Sequence, residues 1–99
     1  MSNFVVIVDG IDATQRELLH ARLKEKTESW WHQLPDVWVV QGGYESVQAL
    51  RDDLAPIMGL PASQLLVLAL KTTSGGRWAA SAKGEFTTWF KDNLSGPVE

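Results

Sequence analysis

Cysteine is absent from the 99-residue chain. That excludes a disulfide framework and a thiolate zinc site, and it fits any compartment. Basic residues are few. Nine Lys and Arg stand against twelve Asp and Glu, for a net charge of −3. No positive field therefore covers the molecule, and general electrostatic affinity for nucleic acid is not supported. No apolar run approaches the length of a membrane span. The first run, Phe4 to Val8, stops at Asp9, and Met1-Ser2-Asn3 carries no basic region, so no signal peptide is expected. A soluble cytoplasmic protein is the default expectation. There is no internal repeat and no low-complexity tract. Gly42-Gly43 and Gly75-Gly76 lack the helix-opening context of a phosphate cradle. No Ser-His-Asp order is legible. What the chain does have is apolar substance: 44% hydrophobic residues and five tryptophans, enough for one core in one domain.

The most telling stretch is Trp30-Trp31-His32-Gln33-Leu34-Pro35-Asp36-Val37-Trp38-Val39-Val40. Two aromatic and β-branched runs flank a short Leu-Pro-Asp turn, the pattern of a β-hairpin. Strands are expected near 28–34 and 37–42. Trp30, His32 and Leu34 fall on one face, and Trp31 and Gln33 on the other. Before the hairpin, Phe4-Val5-Val6-Ile7-Val8 is uniformly apolar, as suits a central strand buried on both sides. Asp12 and Gln15 have the spacing of a capping box, opening a helix to about Lys26 with Leu18, Leu19 and Leu23 as its apolar stripe. After Gly42-Gly43, Val47, Leu50, Leu54 and Ile57 form a second stripe, with Pro56 forcing a bend or an early end and Gly59 and Pro61 a stop. Gln64 to Leu70 reads as the last strand. Phe86, Trp89 and Phe90 sit at helical spacing within 83–94, before a stop at Ser95-Gly96-Pro97.

The order β-α-β-β-α-β is the ferredoxin-like arrangement. Right-handed crossovers then predict an antiparallel sheet ordered 4-1-3-2 with both helices on one face. The fold class is α+β. Residues 1–72 form the ferredoxin-like domain, and residues 73–99 an aromatic C-terminal extension. The sheet face without helices needs a cover, which the extension, a second subunit, or both would supply.

The chain resembles the CRISPR-associated adaptation subunit family, and in particular its small stand-alone bacterial relatives outside CRISPR loci. Three features carry the likeness: an apolar strand ending in Asp9; Trp30-Trp31-His32 with Leu34, then Trp38-Val39-Val40; and a tail holding Gly76-Arg77-Trp78-Ala79-Ala80 and Trp89-Phe90-Lys91-Asp92-Asn93-Leu94. The resemblance implies a homodimer, nucleic-acid binding and, in some members, a magnesium-dependent endonuclease. Its metal is held by the aspartate that ends the first strand, across the dimer axis. Asp9 is the position that maps, as both catalytic residue and metal ligand. The family usually places an aromatic residue before that aspartate, where this chain has Val8.

Each candidate has a plainer reading. Asp9-Gly10 is also turn chemistry, and Asp12 is explained by capping. His32 has the chemistry of a general acid or base, yet a lone strand histidine is more often packed or solvent-facing. His20 is expected on the wet face of the first helix, at no metal-ligand spacing from His32. Trp30, Trp31 and Trp38 have the means to stack bases, but no Lys or Arg is interleaved with them. Packing against the core or a subunit is the better expectation. Asp52-Asp53 reads as a solvated face. A non-catalytic module that binds a protein partner on the same fold is the alternative to a nuclease.

Overall fold

A computed structural model describes residues 2–59, 64–70, 81 and 84–93. The elements are β1 (Asn3–Asp9), α1 (Ala13–Lys26), β2 (Ser29–Leu34), β3 (Val37–Gln41), α2 (Val47–Leu54), β4 (Gln64–Leu70) and α3 (Thr88–Asn93). A 3₁₀ turn extends α2 over Ala55–Ile57, and another leads into α3 over Gly84–Thr87. The readings placed on Pro61, the 72–76 connection, Trp78 and the 95–97 stop lie outside the described residues.

The four strands form one antiparallel sheet in the order β2-β3-β1-β4, which is the expected order read from the other edge. β1 is central. Val6 lies opposite both Trp38 and Val67, and Val5 opposite both Val39 and Leu68. Paired residues share a face, so the sheet separates its side chains cleanly. Phe4, Val6, Val8, Trp38 and Val40 point to one side and pack against Leu19 and Leu23 of α1, Leu50 and Leu54 of α2, and Met58. This is the core, and both helices cover it.

Local chemistry explains the helix limits. Asp12 accepts a hydrogen bond from the Gln15 backbone at 2.7 Å, while the Gln15 side chain accepts from the Asp12 backbone at 2.9 Å, completing the capping box. The hydroxyl of Thr27 donates to the carbonyl of Leu23 at 2.6 Å and closes the other end. Ser46 caps α2 by accepting from Ala49. Pro56 stands where the α-helix gives way to 3₁₀ geometry, because it has no N–H for the preceding turn. Gly42 and Gly43 both hold positive φ, and a Cβ on Gly43 would overlap the backbone carbonyl of Lys26. The end of β3 thus packs directly on the link between α1 and β2.

Two expectations need correction. Leu18 does not join the apolar stripe of α1; it is 53% exposed, since the helix presents Leu19 and Leu23 to the sheet. Asp53 is half-buried and does not lie on an open solvated face. It receives both ends of the Arg22 guanidinium, at 2.6 and 2.9 Å, and the Tyr44 hydroxyl at 2.6 Å, which ties α1 to α2. These partners hold the Asp53 carboxyl at about 2, with the Arg22 bond the largest cause. Burial, followed by the bond to Asp53, pushes the Tyr44 hydroxyl well above its usual range.

Candidate functional site

Asp9 ends β1 opposite Gln64, on the sheet face that carries neither α1 nor α2. Part of that face is covered from within the chain. Trp31 donates its indole N–H to the carbonyl of Phe86 at 2.8 Å, and its ring meets those of Phe86 and Phe90, each at 5.0 Å. Trp89 donates to the hydroxyl of Ser29 at 2.6 Å. Residues 84–93 therefore lie over β2 and shield Trp31 and Val39, both buried. Among the described residues no helix covers the β4 side of the same face: Leu66 and Leu68 are exposed, beside half-buried Val5 and Ile7. Asp9 stands exposed at the rim of this apolar area, on a cavity of about 370 Å³ lined by Ile7, Val8, Asp9, Gln64, Leu65 and Leu66. One carboxylate is a poor cage for a hard cation, which takes several oxygen ligands. Among the described residues no group of three or more His, Asp or Glu side chains could hold a metal ion.

On the helix-bearing side lies a second locus that the sequence reading did not assemble. His20 is half-buried and does not sit on the wet face. Its ring meets Trp30 edge-on at 4.7 Å and lies 5.1 Å from the ring of His32. His32 in turn stacks flat on Trp38, with centroids 4.0 Å apart and planes within 5°. Alternation along β2 puts Trp30 and His32 on one face, and α1 crosses that face with His20 at the border of its apolar stripe. The visible signal was that shared face, together with the position of His20 between Leu19 and Leu23. The helix-to-sheet register that joins them was not visible.

Hydrogen bonding fixes the Nδ1 atoms of the two imidazoles in opposite roles. The Nδ1 atom of His32 lies 2.9 Å from the carbonyl of Val37, which can only accept, so that nitrogen carries a proton. The indole of Trp38 can only donate, and it donates to Nδ1 of His20 at 3.2 Å. His20 is therefore neutral there, with its proton on Nε2. Burial, then the charges of His32 and Lys24, hold its pKa below the ordinary value. In the neutral pair, His20 offers an N–H at Nε2 and His32 offers a lone pair. Both rings line a cavity of about 500 Å³ with Ala13, Arg16, Glu17, Ala21 and Lys24. Arg16 is held by Asp36 at 2.8 Å and by the carbonyl of Pro35, which anchors this wall to the hairpin turn.

The structure does not bring Asp9 and His32 together; they lie on opposite faces of the sheet. Nor does it form an open tryptophan platform, since Trp31 and Trp38 are buried and Trp30 is engaged with His20. No family model matches the chain, and no curated protein or solved structure matches it. No helix among the described residues is long and apolar enough to cross a membrane.

Proposed function

We propose that the chain is a cytoplasmic ferredoxin-like protein that pairs with a second copy through its bare sheet face and acts on nucleic acid. In the pair, Asp9 from each copy holds magnesium and activates water at a phosphodiester. The observation that carries this reading is the position of Asp9: exposed at the end of the central strand, beside a cavity, at the rim of an apolar surface that includes Leu66 and Leu68. Removing such a surface from water favours association by roughly 25 cal/mol per Å² of apolar area. A twofold axis through it would supply the second carboxylate that one copy lacks. The resemblance to the CRISPR-associated adaptation subunit family supports the same arrangement.

The internal use of Trp31 and Trp38 favours a second reading, in which the same bare face receives a protein partner and no cleavage occurs. Two measurements separate the readings. Sedimentation equilibrium of the full chain is expected to give a dimer at micromolar concentration. A panel of single- and double-stranded DNA and RNA is expected to be cut in magnesium by the native chain but not by Asp9→Asn. A dimer with no cleavage would leave the interaction module; a monomer at high concentration would remove the shared metal site.

A further inference from the structure

We propose that the cavity between α1 and β2 binds a phosphomonoester, held by the Nε2 atoms of His20 and His32 with Lys24 and the free edge of Arg16. The assignment stands apart from Asp9, which lies on the other side of the sheet. It begins from what the cavity offers. Each imidazole has committed Nδ1 inside the protein and keeps one polar atom, Nε2, without a hydrogen bond to any described residue. Lys24 is exposed and has no hydrogen-bond or ion-pair partner among the described residues. Arg16 uses Nε and Nη2 toward Asp36 and Pro35, which leaves Nη1. The free groups are thus mostly donors.

That donor excess rules against a metal ion. His20 accepts from Trp38 at Nδ1, so its Nε2 carries the proton and has no lone pair to give. A cation would also face Lys24 and Arg16. An oxyanion fits instead, because it accepts from His20, Lys24 and Arg16 in charge-assisted bonds. The charges facing the histidines are Arg16, Glu17 and Lys24 from α1 and Asp36 from the hairpin turn, besides the two rings themselves. Asp36 is spent on Arg16. Glu17 repels a second negative charge on the ligand, which favours a singly protonated anion.

The Nε2 atom of His32 decides which oxyanion. With Nδ1 committed to Val37, that atom accepts a hydrogen from the ligand in the neutral ring and donates one in the imidazolium. A phosphomonoester has its second pKa at about 6, so roughly a tenth of it still carries an exchangeable proton at pH ~7, and a site that favours the monoanion selects that form. It can therefore meet either form of His32, whereas sulfate carries no proton and can only accept from the imidazolium. About 500 Å³ is ample for a phosphate together with the group that bears it, and lies within the ordinary range of small-ligand sites, ~300–1,000 Å³. The same chemistry is found on a small phosphorylated molecule and on the end of a nucleic-acid strand.

The test is titration of the full chain near pH ~7, read by heat and by the imidazole NMR resonances of His20 and His32. The probes are inorganic phosphate, phenyl phosphate, sulfate, and one dinucleotide with and without its 5′-phosphate. Phosphate and phenyl phosphate are expected to bind saturably and shift both imidazoles, with sulfate weaker by roughly tenfold or more. Lys24→Gln, on an exposed position, and His32→Gln should each weaken phosphate by about tenfold. Asp9→Asn should leave it unchanged, which separates this site from the magnesium site. A 5′-phosphorylated dinucleotide that binds tighter than phenyl phosphate would support the site and assign it to strand ends; the reverse order would support it and assign small phosphomonoesters. Unmoved imidazoles under phosphate, equal binding of sulfate, or undiminished binding in Lys24→Gln would each overturn the assignment.

Discussion

Replacing His20 by alanine should cost more than a half-buried helix residue ordinarily does, because it strands a donor in the core. Trp38 is fully buried, and its indole N–H has His20 as acceptor at 3.2 Å. A buried donor left without a partner costs ~1–3 kcal/mol. Loss of the edge-on contact with Trp30 adds ~0.5–1.5 kcal/mol. His20→Ala is thus expected to remove about 2–4 kcal/mol, a large part of the ~5–15 kcal/mol that holds a domain of this kind. A second substitution isolates the hydrogen bond. Trp38→Phe deletes the donor, so in that background His20→Ala orphans nothing and should cost about 1–2 kcal/mol less. Urea denaturation followed by far-UV circular dichroism measures the cycle without mixing the emission of five indoles. The coupling must also depend on pH. His20 has a lowered pKa in the folded chain, through burial and then the charges of His32 and Lys24. On acidification the unfolded chain takes up the proton first. The contribution is therefore complete above the unfolded value of ~6.5 and is lost as pH falls from there through the lowered folded value. Additive single costs above neutrality, or a coupling indifferent to acid, would show that Trp38 and His20 do not share this bond.

Leu50 is fully buried in the core between α2 and the sheet, so Leu50→Ala should cost ~2–5 kcal/mol and lower the denaturation midpoint; an unchanged midpoint would mean that the α2 stripe does not face the sheet. Asp53 is held at about 2 in the folded chain. Its pairing should stabilise the protein fully above the unfolded carboxyl value of ~3.9, and this stabilisation should be lost as pH falls toward 2. Asp53→Asn should remove roughly 1–2 kcal/mol at neutral pH, after allowance for solvent at the Arg22 side. A native chain and an Asp53→Asn chain with the same acid-unfolding curve would refute the link between α1 and α2.

The parts of the fold that follow from local rules were legible in the sequence. The Asp12–Gln15 box placed the start of α1, the Leu-Pro-Asp turn placed the hairpin, and the handedness of the crossovers placed β1 between β3 and β4. Errors arose where a residue's surroundings depend on how a helix is rotated against the sheet. Leu18 and His20 flank Leu19, and a rotation of one residue exchanges which of them is dry. Asp53 departs from expectation for a related reason, since Arg22 is 31 residues away and meets it only when α1 and α2 lie side by side. The position of Asp9 at the end of β1 was readable, because a strand's end and its alternation fix exposure. The imidazole pair was not, because nothing in either segment announces the other.

The central place of β1 has a consequence for how the chain is made. Of the four strands this one leaves the ribosome before the others, and both its neighbours, residues 37–41 and 64–70, come later. The β2–β3 hairpin is local and free to close early, and β1 has to join it over the loop that contains α1. Its other edge must wait for β4, at ~5–20 residues per second a further one to five seconds or so. During that interval Phe4-Val5-Val6-Ile7-Val8 shows an uncharged, unpaired strand edge, the kind of template that recruits other chains. The later partner, Gln64 to Leu70, is equally free of charge and, among the described strands, is itself an edge of the sheet. The yield of native protein should thus depend on synthesis rate and chain concentration more steeply than the stability of the finished sheet would suggest.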